Sequence, residues 1–176
     1  RLAELYPADV RAKLILAGEY QLRKQYTRYR DMANSAILAD PRSPLGYRAL
    51  AVSWMFNVPL DFSLAEKYMQ EYVKLRPDEA FPLISLGDVY RAEMNLLRAL
   101  DTYSDAVQSD PLSGIGFSKR GYVNLYMGYL EDARRDFEKA QCLPAGGSAI
   151  ELPNDNLVSY FFSGNVKAAA EALQKQ

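Results

Sequence analysis

Apolar residues in this chain recur at the spacing of amphipathic helices, and the pattern is copied along the sequence. Counted from the residues that open each copy (Val10, Gly46, Ala80, Gly114 and Ile150), the seventeenth position is always apolar: Tyr26, Phe62, Leu96, Leu130, Val166. The twentieth position is small in all copies but the first: Tyr29, Ala65, Ala99, Ala133, Ala169. Offsets of three and four residues place such side chains on one helical face. The pattern therefore predicts pairs of antiparallel helices that approach closely at small residues.

A ladder of prolines marks the ends of these copies, with spacings of 34, 36, 34 and 33 residues: Pro7, Pro41, Pro77, Pro111, Pro144. Proline has no backbone N–H and stops a helix, so each is expected to follow the second helix of its unit. The two extra residues in the longer interval are expected in the turn Arg42–Leu45, because the later positions keep phase. A fixed period of this length indicates one supersecondary unit stacked on the next.

The third copy carries a set of residues that resembles the tetratricopeptide repeat: Leu83, Leu86, Gly87, Tyr90, Ala99, Tyr103, Ala106, Pro111. The fourth copy resembles it too, but departs at Arg120 and Asn124. The resemblance implies an all-α fold, an α-solenoid in which antiparallel helix pairs form a right-handed superhelix. Almost no run alternates with period two, so no strand is expected.

The expected organisation is a single array over 1–176. It comprises the tail of a preceding helix (1–7), repeats at 10–43, 46–79, 80–113 and 114–145, and a divergent or capping helix pair at 150–176. The residues before Pro7 suggest a slice of a longer array.

A partner-binding groove is implied by the same resemblance, because the second, fifth, ninth and twelfth positions of first helices line it in this family. The candidate groove residues are Arg11, Tyr47, Trp54, Asn57, Phe81, Asp88, Arg91, Ser118, Tyr122 and Leu125. Aromatic side chains from successive copies would form a stripe there, and aromatic and arginine side chains dominate binding hot spots. Burial in the core is the equally weighted alternative for Tyr47 and Trp54.

Some family members hold a C-terminal carboxylate with Lys and Asn at two groove positions. Those positions are Leu14 and Gly18 in the first copy, and Leu50 and Trp54 in the second. A carboxylate clamp of that kind is therefore not expected. A mainly apolar ligand, either an extended peptide or a partner helix, fits the aromatic stripe better.

Charge is nearly balanced over the chain, with a net value of −1, so no overall field attracts nucleic acid or an anionic membrane. Residues 11–48 nevertheless hold eight basic and three acidic side chains. A solvated helix face is the favoured interpretation of this excess, and an acidic partner at the first repeat is the alternative.

Residues suited to catalysis or metal binding are scarce. The chain has no histidine and one cysteine, Cys142, which removes the commonest general base and leaves no zinc site or redox pair. No phosphate-binding glycine motif occurs, and no apolar run is long enough to span a membrane. We expect no enzyme activity and no cofactor.

These observations predict a protein–protein interaction scaffold that binds a peptide or protein segment of unknown identity, and no nucleic acid. Two alternatives stay open: a structural module that self-associates through exposed array ends, and a non-catalytic regulatory segment of a larger protein. The residues leave the compartment open, with the cytoplasm slightly preferred and a targeting signal allowed outside this segment.

Overall fold

The computed structural model describes residues 9–143, which form eight helices and no strand. The helices are α1 (Val10–Leu22), α2 (Tyr26–Ala39), α3 (Pro44–Phe56), α4 (Phe62–Leu75), α5 (Ala80–Ala92), α6 (Leu96–Ser109), α7 (Gly114–Tyr126) and α8 (Leu130–Cys142). Short turns join helices that pack extensively on each other, α1 on α2, α3 on α4, α5 on α6 and α7 on α8, so each pair is antiparallel. The predicted helix tail at 1–7 and the helix pair at 150–176 lie outside the described residues.

The chain falls into two compact units that divide between Ser109 and Asp110. The first unit contains α1 to α6. In it each second helix also packs on the following first helix, α2 on α3 and α4 on α5. The first helices themselves are neighbours, α1 of α3 and α3 of α5. The second unit contains the pair α7 and α8.

Local sequence signals set the helix ends. Asp9 caps α1 by accepting hydrogen bonds from the backbone N–H groups of Arg11 and Ala12 at 2.7 and 3.3 Å. Side-chain oxygens of Ser43, Asp61 and Ser113 cap α3, α4 and α7 in the same way. Helices α2, α4 and α6 each end two residues before a proline: Pro41, Pro77, Pro111. The predicted role of these three prolines is confirmed.

Small residues let the two helices of a pair approach, as the pattern predicted. Ala65, Ala99 and Ala133 have no exposed surface. Gly87 lies against the ring of Tyr103, where a Cβ would be 2.5 Å from the nearest ring carbon. Gly121 lies against Phe137 in the same way, at 2.9 Å. A glycine on the first helix thus makes room for an aromatic ring on the second.

The turns place the two extra residues of the second pair elsewhere than predicted. The turns 40–43, 76–79 and 110–113, from second to first helices, all have four residues. The turns 23–25, 93–95 and 127–129, from first to second helices, have three, but the equivalent turn 57–61 has five and contains a cis Val58–Pro59 bond. The prediction that the extra pair lies in Arg42–Leu45 is wrong, because Pro44 and Leu45 form the first turn of α3 behind the Ser43 cap.

Candidate partner-binding face

The corrected turn changes which residues of α3 are equivalent to those of α1 and α5. With α3 starting at Pro44, its second, fifth, ninth and twelfth positions are Leu45, Arg48, Val52 and Met55. We call these four residues, with the corresponding positions of α1 (Arg11, Leu14, Gly18, Gln21) and α5 (Phe81, Ile84, Asp88, Arg91), the first-helix face. All but Met55 and Ile84 are at least partly exposed.

Trp54 takes the eleventh position of its helix, the place that Tyr20 and Tyr90 hold in α1 and α5. Its ring stacks on the guanidinium of Arg30 of α2, whose central carbon lies 3.6 Å from the ring centroid. The indole N–H of Trp54 is buried and has no acceptor among the described residues. In this arrangement Trp54 joins one helix pair to the next.

Arg30 also completes the end of α3. One of its terminal nitrogens donates to the backbone carbonyls of Ser53, Asn57 and Pro59 at 3.1, 3.1 and 3.3 Å. The Ser53 carbonyl also accepts from the backbone N–H of Asn57 at 3.2 Å, so Arg30 is its second donor and links the end of α3 to the turn that follows. Partial burial lowers the pKa of Arg30, and the neighbouring Asp31 opposes that shift. The guanidinium remains charged, because arginine is not deprotonated in proteins.

The other two sequence candidates of this repeat are partly or wholly buried. The ring of Tyr47 lies 6.5 Å from that of Tyr68 in the paired helix α4, centroid to centroid. Asn57 follows the last residue of α3 and is 3% exposed, and its side-chain nitrogen has no partner in the part of the chain that the structure describes. The structure therefore brings Trp54, Asn57 and Arg30 together beside the five-residue turn.

Helix α5 supplies three sequence candidates that stay on the first-helix face. Phe81 is 44% exposed. The carboxylate of Asp88 accepts a 2.6 Å hydrogen bond from the hydroxyl of Tyr103 and lies 3.8 Å from Arg91. Burial, together with the charge of Asp88, raises the pKa of Tyr103 far above its ordinary value, so this hydroxyl is always a donor. Tyr103 thus fixes the carboxylate of Asp88 on the face.

Arg48 is one of the face residues of α3 that sequence reasoning missed. Its guanidinium carbon lies 5.3 Å from the centroid of the Phe81 ring, which joins α3 to α5. The predicted start of α3 at Gly46 is two residues late, so Arg48 did not fall on a groove position. The helix-start signal Ser43-Pro44 would have revealed it, because a capping serine followed by proline at the first position marks a helix start.

The remaining sequence candidates lie on α1 and α7. Arg11 is exposed at the start of α1. Ser118, Tyr122 and Leu125 of α7 are 5%, 7% and 4% exposed. The ring of Tyr122 packs edge-on against Phe137, with centroids 5.0 Å apart. A binding role for these four residues stays a prediction.

A buried charged cluster accounts for the two departures of the fourth repeat from the family pattern. Arg120 donates to both carboxylate oxygens of Asp136 at 2.9 and 2.6 Å. The side-chain amide of Asn124 donates to the same carboxylate at 2.9 Å. Asp136 is 4% exposed, so it requires these partners. The unusual residues of α7 and α8 therefore form one set.

Two further findings concern residues 9–143. No group of three or more side chains of the types that ligate metals is assembled in this range. None of its helices combines the length and the apolar character that crossing a bilayer requires.

Comparison by sequence gives no relatives: no protein-family model and no curated protein matches the chain. Comparison of the structure gives many matches to proteins built of tetratricopeptide repeats. The crystal structure of MamA has a TM-score of 0.65 and 19% identity, with 79% of this chain and 80% of that chain covered.

Two more solved structures resemble this chain. PilF of Pseudomonas aeruginosa has a TM-score of 0.72 and 20% identity, with 92% of this chain and 72% of that chain covered. A chain in the APC/C hetero-tetramer Cut9-Hcn1 has a TM-score of 0.78 and 17% identity. The match covers 98% of this chain but only 34% of the length of that chain. The predicted all-α fold is confirmed, and this chain has the tetratricopeptide-repeat fold.

Proposed function

We propose that this chain is a non-catalytic interaction scaffold that binds a peptide or protein segment along the first-helix face of α1, α3 and α5. The repeat fold supports the proposal, because stacked repeats present an extended surface made from successive first helices. The solved structures of similar fold are of repeat proteins, one of them part of a hetero-tetramer.

The observation that carries the proposal is the surface between α3 and α5. Leu45 and Phe81, the second residues of the two helices, are 55% and 44% exposed. Arg48 lies over the Phe81 ring, and Asp88 is held on the same face by Tyr103. Exposed apolar side chains beside fixed polar groups are the usual composition of a protein recognition surface.

The experiment starts from peptides selected on the immobilised full chain from a random library of 12-residue peptides. The affinity of each selected peptide is then measured by fluorescence anisotropy for the wild type, Phe81→Ala and Leu97→Ala. Leu97 is the matched control, because it is 65% exposed but lies on the second helix α6.

We expect Phe81→Ala to weaken binding about 30-fold, the effect of losing a hot-spot side chain, and Leu97→Ala to leave it unchanged. Thermal unfolding of both variants checks that the fold is retained. Failure to select any peptide, or equal affinities for the wild type and Phe81→Ala, would contradict the proposal. Sedimentation velocity at two protein concentrations tests self-association separately.

A further inference from the structure

Arg48 is a partly buried cation that no carboxylate of residues 9–143 neutralises. Within this range no acidic group lies at ion-pairing distance from its guanidinium, and its Nε–H is buried and finds no acceptor there. Three aromatic residues lie near it or are influenced by its charge. The Phe81 ring is 5.3 Å away, and the charge of Arg48 opposes the rise in pKa that burial causes for Tyr29 and Tyr72.

A partly buried guanidinium without an anion is uncommon, because removing charge and N–H groups from water is costly unless partners replace the water. Two other arginines of the first unit do have such partners. Arg98 donates to both oxygens of Glu66, and Arg30 donates to three backbone carbonyls. Arg48 therefore differs from them, because its guanidinium, only partly buried, makes no hydrogen bond within residues 9–143.

The charges of the face favour an anionic partner. Besides the pair formed by Arg91 and Asp88, its positions include the cations Arg11 and Arg48 and no second carboxylate. Asp88 is already engaged by the Tyr103 hydroxyl and lies near Arg91, so it does not neutralise Arg48. Apolar Leu45 and Phe81 lie at the start of the same two helices.

We propose that Arg48 binds an aspartate or glutamate side chain of the bound segment, with an apolar residue of that segment packed on Phe81. This inference rests on the proposed function and specifies its ligand: a protein segment that combines acidic and apolar residues. A guanidinium pairs well with a carboxylate, because its planar donors match the two oxygens. The adjacent apolar surface favours a peptide over the phosphate backbone of a nucleic acid.

The test uses the peptides selected on the wild-type chain. Each acidic residue of a selected peptide is replaced by its amide, and affinities are measured for the wild type, Arg48→Gln and Arg28→Gln at low and high salt. Arg28 is the matched control, because Arg28→Gln removes the same charge from a second helix. Thermal unfolding confirms that Arg48→Gln is folded.

We expect selected peptides to be enriched in acidic residues, and one Glu→Gln or Asp→Asn change to weaken binding about tenfold at low salt. Arg48→Gln is expected to weaken the parent peptide to the same degree and the amide peptide hardly at all, since both changes remove one interaction. Arg28→Gln should leave all affinities unchanged.

Selected peptides without acidic enrichment would overturn this inference, and so would additive effects of Arg48→Gln and the amide change. In either case, weaker binding by Phe81→Ala would still support the proposed function. A lost effect of Phe81→Ala would instead overturn the proposed function itself. A single-stranded oligouridylate serves as the other anionic probe. If it binds as tightly as the peptides and loses affinity in Arg48→Gln, the assignment to an acidic protein segment is wrong.

Discussion

The ring of Tyr103 occupies the space into which a side chain on Gly87 would project. A Cβ at position 87 would lie 2.5 Å from the nearest ring carbon, far inside ordinary contact distance. The ring cannot easily withdraw, because Tyr103 is fully buried and its hydroxyl is bound to Asp88 at 2.6 Å. The close approach of α5 and α6 therefore depends on glycine at this position.

Gly87→Ala should lower the free energy of unfolding by about 1–3 kcal/mol, the usual cost of overpacking a core. Urea unfolding followed by circular dichroism measures it. Gly18→Ala is the control, since a Cβ at Gly18 of α1 would meet nothing within 4 Å. That change should raise stability by about 0.5–1 kcal/mol through helix propensity. A cost at both glycines, or at neither, would contradict this account.

Arg30→Ala should destabilise the first unit by about 2–3 kcal/mol, because three carbonyl groups at the end of α3 lose a charged donor. Trp54 is the only tryptophan of the chain, so its fluorescence reports the loss of the stacked guanidinium directly. Both the emission maximum and the unfolding midpoint should therefore change.

Arg28→Ala on the same helix is the comparison for that measurement. Arg28 makes a 3.3 Å hydrogen bond to Gln25 and lies 5.7 Å from the Tyr20 ring, both at the surface. We expect a stability change within about 0.5 kcal/mol and no change in the emission of Trp54. Equal effects of the two substitutions would show that Arg30 does not hold the end of α3.

Much of the fold follows from the sequence, because its determinants are local and repeated. The start of every second helix in residues 9–143 falls on the predicted seventeenth position. The prolines at 41, 77 and 111 stop helices by their own covalent geometry. The small twentieth positions, such as Ala99, follow from the same periodicity, and the structure buries them.

The register of α3 was missed for a physical reason. Two residues inserted before or after a helix leave the second-helix positions equally in phase, so periodicity cannot separate the two placements. The cap at Ser43 separates them, since its side chain accepts from the Gly46 N–H.

Contacts such as that of Arg30 with Ser53 span 23 residues and have no local signature. Arg48 was not identified, because the predicted register of α3 was wrong. The pairing of Asp136 with Arg120 becomes visible only when the two helices are packed together.

Asp136→Ala should destabilise the α7–α8 pair by about 3 kcal/mol, because Arg120 and Asn124 would lose their buried acceptor. In the Arg120→Ala/Asp136→Ala double variant, the loss should be clearly smaller than the sum of the single losses, since no charge is left unpaired. Chemical unfolding of the three variants gives the coupling energy.

The exposed pair of Arg135 and Asp132 on α8 provides the reference for that coupling. Their side chains are 70% and 56% exposed and 2.8 Å apart. Such pairs contribute at most about 1 kcal/mol, so the corresponding cycle should give a coupling near zero. A coupling for Arg120 and Asp136 no larger than this reference would mean that the buried cluster is not a unit.

Glu66 makes stability depend on pH in the acidic range. The hydrogen bonds from Arg98 lower the pKa of Glu66 below its ordinary value of 4.5, burial opposes this, and the Tyr90 hydroxyl adds to it at 2.9 Å. A folded-state pKa below the unfolded-state pKa stabilises the folded chain at pH values above the unfolded-state pKa. This stabilisation is lost as the pH falls through the folded-state pKa. Glu66→Gln should therefore destabilise the chain at pH 7 and destabilise it progressively less as the pH falls below the ordinary pKa of Glu66.

Free energies of unfolding for the wild type and Glu66→Gln between pH 7 and 3 test this directly. Glu71→Gln on the same helix removes a carboxylate that pairs with the exposed Lys74, so it controls for the change in net charge. The difference between wild type and Glu66→Gln should shrink as the pH falls below 4.5. A difference that stays constant across this range would show that Arg98 does not stabilise the ionised carboxylate of Glu66 in the folded state.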